Sequence, residues 1–342
     1  MTFRVVMTAL LTHLQDEEEC RKIGAELFTI PCHTEDELIA ATQDADGIIT
    51  VPPQPFTRKV ISKLNKCRLI HNIGAGYEGI DVQAATDYGI CASFAGDYCS
   101  EEVAEHTMAL ILACARKVVR LDKAVRARKW DLDIDHSLEQ PEIRKIWSPI
   151  FQIKGKALGI IGLGKIGRLV VPKANGFGIR VIAFDPYLPS NVFKELGVES
   201  VTLDKLLSES DFVTVNAALT KESRHLLGIE QFKKMKPTTY FINCARGEFI
   251  DTDALYTALT SGYIAGAGLD VVSGESLSLD HPLFKLENVI FTAHSGWYSE
   301  YALGEMKRRP YEHLGQVFRG ELPTRLINLE VKEKFLKRWG KA

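Results

Sequence analysis

No stretch of this chain stays apolar for the roughly 20 residues that a helix needs to cross a bilayer. A surplus of one charge is also missing. Lys and Arg number 42 against 44 Asp and Glu, a formal net charge of −2, and no basic run is long. That argues against a nucleic acid or a membrane surface as the main partner. Cysteine is scarce and unpatterned: seven, at positions 20, 32, 67, 91, 99, 114 and 244, odd in number and without a CxxC. The pattern excludes a disulfide framework and a zinc site, so no metal is expected, and it points to a reducing compartment, the cytoplasm. The first residues run straight into an apolar segment without a charged leader, so no secretory signal is expected. Short-period repeats and low-complexity segments are absent too. What remains is 46% apolar and 25% charged over 342 residues, an ordinary globular composition with enough chain for two cores.

The chain is organised around residues 156–168. A short apolar run there breaks into Gly162, Gly164 and Gly167 and resumes at helical spacing with Ile166, Leu169 and Val170. This is the pattern of a strand, a tight turn and a helix N-terminus. Gly162 permits the turn, Gly164 lets a pyrophosphate approach the backbone, and Gly167 lets the helix pack on the strand. The helix start favours an anion. A second apolar run, 179–184, ends in Asp185, placed where an acid bonds the ribose hydroxyls of NAD and repels the extra phosphate of NADP.

Two βα arrays flank this turn. The first has apolar runs at 3–7, 27–30, 47–51, 69–73 and 90–92, with helices expected near 16–24, 35–41, 57–64 and 82–88. The second has runs at 158–161, 179–184, 212–216, 240–243, 264–269 and 289–292, then a helix over 299–319. Such alternation predicts two parallel sheets covered on both faces. Between the arrays one long helix is expected over 101–120, with Ser100 as its N-cap and a centre at 104–115 apolar enough to be buried in a domain or a dimer. Residues 128–153 show no steady period and read as an irregular excursion. Pro172 inside the helix after the glycine turn predicts a kink. The basic stretch 332–341, interleaved with Phe335, Leu336 and Trp339, predicts a terminal helix docked by its apolar side.

Three further stretches fall where strands should end: Asn243-Cys244-Ala245-Arg246-Gly247, Asp270-Val271-Val272-Ser273-Gly274-Glu275 and Thr292-Ala293-His294-Ser295-Gly296. Singly, each has an ordinary explanation: a surface Arg, a turn-capping Asp, a solvated Glu, a hydrogen-bonded His. Together, downstream of a dinucleotide turn, they supply what reduction of a 2-oxo acid needs. Arg offers a forked cation to a carboxylate. His can exchange a proton near neutral pH, and a Glu behind it would stabilise the imidazolium.

These stretches resemble the D-isomer-specific 2-hydroxyacid dehydrogenase family. The similarity also takes in Asn72-Ile73-Gly74-Ala75-Gly76-Tyr77-Glu78-Gly79-Ile80-Asp81 and Glu102-Val103-Ala104-Glu105-His106, and so covers nearly the whole chain. Residues 294–300 look like the branch containing the C-terminal binding proteins. The resemblance implies an α/β chain of two doubly wound parallel-sheet domains. A Rossmann NAD-binding domain, 101–296, is inserted into a flavodoxin-like substrate domain, 1–100 and 297–342. It implies Arg246, Glu275 and His294 as the catalytic trio and NAD as the cofactor. The cofactor set is then Gly162, Gly164, Lys165, Ile166, Gly167, Asp185, Ala217, Cys244, Ala245 and Asp270, with Asp270 on the nicotinamide amide. The substrate set is Gly74, Ala75, Gly76, Tyr77 and Trp297, the glycine loop holding the carboxylate. The family also implies a homodimer joined through the nucleotide domain. Where the family has His-x-Pro-Leu this chain has Asn216-Ala217-Ala218-Leu219, and Glu275 is followed by Ser276 rather than Pro.

The activity expected is hydride transfer between NAD(H) and C2 of a small D-2-hydroxy or 2-oxo acid. A second reading, from the branch resemblance, is an NAD(H)-responsive dimeric binding protein. For the substrate side chain, Trp297 and Tyr77 are expected to face a wall made by residues 51–56, with Pro52, Pro53, Gln54 and Phe56. Such a wall favours a small uncharged substituent.

Overall fold

A computed structural model describes residues 2–51, 54–127, 149–273, 278 and 280–340. The expected excursion therefore lies mostly outside the described residues, as do Pro52, Pro53 and Glu275. The chain divides into two compact units, Met1–Tyr98 with Ser299–Ala342, and Cys99–Tyr298.

The first unit holds β1 (Phe3–Met7), β2 (Ala25–Thr29), β3 (Gly47–Thr50), β4 (Leu69–Asn72) and β5 (Cys91–Phe94). They pair in parallel in the order β2-β1-β3-β4-β5. Every residue of β3 and β4 is buried, as expected of strands covered on both faces. The terminal helix Lys332–Trp339 docks on this unit as its composition predicts. Phe335 is fully buried, and the Arg68 guanidinium lies 4.3 Å from the Trp339 ring centroid.

The second unit holds β6 (Ala157–Ile161), β7 (Arg180–Phe184), β8 (Glu199–Ser200), β9 (Phe212–Val215), β10 (Tyr240–Asn243), β11 (Gly266–Leu269) and β12 (Val289–Phe291). Their order is β12-β11-β10-β9-β6-β7-β8, again all parallel. The two-residue edge strand β8 is exposed and polar, so no apolar run announces it. In both sheets the order reverses beside the first strand, and loops leave the carboxyl ends together; ligands gather at such a point.

Two local expectations need correction. The long helix does not reach residue 120: it spans Ser100–Ala115, and a second helix, Val118–Arg126, follows. Lys117 between them takes the left-handed φ of 53°, which breaks the helical path. Ser100 is the first helical residue rather than the N-cap; Cys99 holds that place without a side-chain bond, and Glu101 and Glu102 complement the dipole. Pro172 lies inside the continuous helix Lys165–Gly176. Pro172 sits on the exposed side, where the carbonyl lacking a donor can meet water.

The first unit also buries two histidines side by side. His71 Nδ1 lies 2.8 Å from Ser93 Oγ and 3.2 Å from His313 Nδ1, and His313 Nε2 lies 3.2 Å from Thr324 Oγ1. Burial pushes His313 down to about 4, with Arg325, Arg309 and Arg308 adding to it against Glu312. Burial, His313 and Arg309 hold His71 well below the usual histidine value. Both rings bind a proton more weakly folded than unfolded. Their stability is therefore full above about pH 6.5 and is lost as pH falls from there toward the folded values. His313 alone should remove about 2 kcal/mol on going from about pH 8 to about pH 5. The urea midpoint should drop over that interval, and drop less in His313→Gln. Equal drops in both proteins would contradict the assignment.

Among the described residues, no helix is long and apolar enough to cross a membrane, and no three His, Cys, Asp or Glu are grouped to hold a metal ion. All seven cysteines are buried and none forms a disulfide.

Candidate active site

Because the second sheet is wholly parallel, the loops after β6, β7, β9, β10, β11 and β12 share one edge. The loop after β6 is the glycine turn. Gly162 has φ 89°, and a Cβ there would stand 2.6 Å from Ala217 Cβ and 2.7 Å from Ala217 N. A Cβ on Gly167 would stand 2.4 Å from the Gly162 carbonyl oxygen. Both glycines are thus imposed by close approach. Gly164 differs: the nearest atom to an added Cβ is Asn216 O at 3.9 Å, so space is left there. That space opens at the N-terminus of Lys165–Gly176, whose first turn carries no acid. Gly164 is the N-cap, Lys165 and Ile166 are the first helical residues, and the N–H groups that open such a turn suit an anion. The cradle fits the pyrophosphate of a dinucleotide.

Asp185 closes the turn from the end of β7. Its Oδ2 accepts the Leu163 N–H at 2.9 Å and its Oδ1 accepts the Tyr187 N–H at 3.1 Å. The carboxylate is half-buried and retains lone pairs for ribose hydroxyls. After β9, Asn216 buries an Oδ1 without a protein partner, beside Ala217 under the turn.

The loop after β10 is stitched by Asn243, which accepts the Ala245 N–H at 3.0 Å and donates from Nδ2 to the Arg246 carbonyl at 2.9 Å. Arg246 is half-buried and donates from an Nη to the Ala245 carbonyl at 2.8 Å. Cys244 is buried, and burial pushes its thiol up to about 12 against a hydrogen bond with Thr107. Its sulfur packs on the helix Ser100–Ala115, so only its backbone is available to a cofactor.

Asp270, after β11, is the hub of the edge. Its side chain is buried. Oδ1 accepts the Thr292 hydroxyl at 2.6 Å and the Ser295 N–H at 2.9 Å, Oδ2 accepts the Gly296 N–H at 3.0 Å, and the Asp270 carbonyl accepts the His294 N–H at 2.8 Å. Three successive N–H groups, 294 to 296, therefore end on one residue. His106 adds an Nε2 at 3.4 Å from Oδ1. Burial alone would raise the Asp270 carboxyl, but His106, Thr292, Gly296 and Ser295 outweigh it and hold the group below the usual carboxylate range. The clamp fixes His294 with a left-handed φ of 50° and an exposed side chain. A non-glycine residue in that region costs on the order of 1 kcal/mol and needs such support.

The structure thus gathers the glycine turn, Asp185, Ala217, the Cys244–Arg246 loop, Asp270 and His294 on one sheet edge. Sequence reading did not assign roles to His106, Thr292 and Gly296. Their signal is faint: a histidine in the polar first half of a helix that becomes apolar after it, and two small residues flanking His294.

In the first unit, Gly74, Ala75 and Gly76 follow β4. The buried Asn72 donates from Nδ2 to the carbonyls of Gly74 and Gly76, which ties the loop to the sheet. No backbone carbonyl of a described residue takes the N–H groups of Gly74, Ala75 or Gly76. Tyr77 is 40% exposed and meets Phe94 edge-on. Trp297 belongs to the second unit, half-buried and edge-on to Tyr298 at 5.4 Å between centroids. Two members of the expected substrate wall are corrected. Phe56 is fully buried in the apolar core of its own unit. The Gln54 amide is spent on Thr8, Thr50 and Cys32, donating to the Thr8 and Cys32 carbonyls at 2.8 and 2.7 Å. An apolar ring in a proline-rich loop still goes where it loses most water.

Residues 108–296 match the NAD-binding domain of the D-isomer-specific 2-hydroxyacid dehydrogenases. The chain is 38% identical over 298 residues to the glyoxylate reductase of Korarchaeum cryptofilum, covering 86% of each protein. It is similar in structure to a glyoxylate reductase from Paecilomyes thermophila, with a TM-score of 0.82, 28% identity, and 95% and 98% of the two chains covered. It is likewise similar to the D-lactate dehydrogenase of Aquifex aeolicus complexed with NAD and lactic acid, with a TM-score of 0.81, 26% identity, and 95% and 99% covered. The glycine cradle, the acid after β7 and the clamped histidine are thus accompanied by similarity along most of the chain, and the protein belongs to the D-isomer-specific 2-hydroxyacid dehydrogenase family, NAD-dependent oxidoreductases of 2-hydroxy and 2-oxo acids.

Proposed function

We propose that this chain interconverts a small 2-oxo acid, with an uncharged substituent on C2, and its D-2-hydroxy acid. In the reducing direction bound NADH supplies the hydride. Arg246 offers its guanidinium fork to the substrate carboxylate, and the N–H groups of Gly74, Ala75 and Gly76 are assigned to the same group. His294, protonated, gives its proton to the oxygen on C2 as charge develops there. Glu275 is assigned to the imidazolium, favouring its charged form. Asp270 Oδ2, which accepts one N–H, keeps a lone pair for the nicotinamide amide. The observation that carries the reading is the Asp270 clamp, which holds the His294 loop on the same edge as Arg246 and the glycine turn.

The substituent on C2 should be small and uncharged. Residues 51–57 and 73–79 contain no basic side chain to neutralise a phosphate or second carboxylate. The relatives named glyoxylate reductase and D-lactate dehydrogenase act, by their names, on acids of this size. Rates of NADH oxidation should favour glyoxylate, pyruvate and hydroxypyruvate over oxaloacetate, 2-oxoglutarate and phosphorylated acids. A clear preference for a dianionic acid would refute the size and charge argument.

Seven buried thiols support a reducing compartment, and we place the protein in the cytoplasm. We also propose a homodimer through the NAD-binding domain. Among the described residues, the helix Val118–Arg126 has no buried member, although Val118, Leu121 and Val125 fall on one side. Sedimentation equilibrium should give twice the chain mass of 38.1 kDa, and a monomer would contradict it.

A further inference from the structure

The helix Ser100–Ala115 is mostly apolar where it faces β10 and β11, yet it sends one imidazole into the edge of the site. His106 Nε2 lies 2.8 Å from Thr292 Oγ1. The Thr292 hydroxyl has one proton, and it is given to Asp270 Oδ1 at 2.6 Å. Its oxygen can therefore only accept from His106, so Nε2 carries the proton in this arrangement. The chain of bonds runs one way: His106 to Thr292, and Thr292 to Asp270. Asp270 in turn takes the N–H groups of residues 294, 295 and 296. The ring also acts by its bulk. A Cβ on Gly296 would stand 3.2 Å from His106 Cδ2 and 2.8 Å from Asp270 Oδ2, so the loop lies directly on the imidazole.

We propose that His106 is a positioning residue: through Thr292 and Asp270 it sets the loop that carries His294 and so aims the proton donor. This rests on the reading of His294 as the acid. His106 does not touch the reacting atoms. It removes the freedom of the Asp270 carboxylate to rotate, and that carboxylate is what holds His294 in its left-handed conformation. A displacement of about 1 Å at a proton donor is enough to cost on the order of 10²-fold in rate.

The test uses the full chain in five forms: wild type, His106→Leu, His106→Gln, His294→Gln and the double variant His106→Leu/His294→Gln. His106→Leu keeps bulk and removes the donor. It should lower kcat for 2-oxo acid reduction by about 10- to 100-fold, the scale of a misplaced reacting group. NADH Kd should rise far less than kcat falls, and His106→Gln, which keeps a donor, should recover most of kcat. In the His294→Gln background the Leu substitution should cost nothing further, because the group it aims is gone. A packing role alone would cost the same in both backgrounds. Should His106→Leu lose its fold, His106→Asn, too short to reach Thr292, takes its place. Full turnover by His294→Gln would remove the assignment of His294 itself. An impaired His294→Gln beside an unimpaired His106→Leu, equal costs in the two backgrounds, or no recovery by Gln would each overturn the positioning role alone.

Discussion

His294→Gln should lower kcat for NADH-dependent reduction by roughly 10²- to 10⁴-fold, the range a positioned general acid supplies. Reduction at C2 turns a carbonyl oxygen into an alkoxide unless a proton arrives, and water is a poor substitute for a placed imidazolium. The structure spends much to present this side chain. Asp270 is buried and accepts from Thr292, Ser295 and Gly296, and its carbonyl takes the His294 N–H. The residue itself sits at φ 50°. Gln can occupy the same backbone and can hydrogen-bond, but it cannot release a proton, so KM for the 2-oxo acid should change far less than kcat. Near-wild-type kcat in a folded His294→Gln would remove the proton-donor role.

Gly247→Ala should reduce kcat/KM by about 10²-fold or more, since it disturbs two loops of the site at once. An added Cβ would stand 2.0 Å from Val272 C, 2.1 Å from Val272 O and 2.3 Å from Ser273 N. All three are backbone atoms, so no side chain can rotate aside. Either the loop after β10 or the loop after β11 must move. The first carries Arg246 one residue before the change, and the second begins at Asp270. Strain of this kind should also cost about 1–3 kcal/mol of stability. Gly176→Ala is the matched control: it lies at the end of the helix Lys165–Gly176, and nothing lies within 4 Å of its added Cβ. It should leave both activity and stability near wild type. Wild-type kinetics in Gly247→Ala would show that the two loops can separate without harm.

Much of this site is legible in the sequence because parallel strands write themselves as apolar runs and their carboxyl-terminal loops as the polar residues that follow. Gly162, Asp185 and Asp270 stand directly after such a run, and Arg246 and His294 three residues after one. The glycine turn is legible because its geometry excludes side chains, and a Cβ at Gly162 or Gly167 would meet backbone. What was not legible depends on contacts distant in sequence. His106 and Thr292 meet across 186 residues, and no local pattern joins them. The break at Lys117 carries no glycine to announce its φ of 53°. Phe56 stands in a proline-rich loop, and nothing beside it in sequence announces the core that draws it in. Glu275 lies outside the described residues, so its role rests on the family resemblance.

The most direct measurement is the configuration of the product. Pyruvate and NADH are incubated with the enzyme, and the lactate formed is resolved by chiral chromatography while NADH consumption is followed. On the proposed assignment of Arg246 to the carboxylate and His294 to the carbonyl oxygen, with the hydride coming from the nucleotide side, one face of C2 would be presented. The account predicts D-lactate, formed mole for mole with the NADH consumed. L-lactate, a racemic product, or no turnover of pyruvate, glyoxylate or hydroxypyruvate would contradict it.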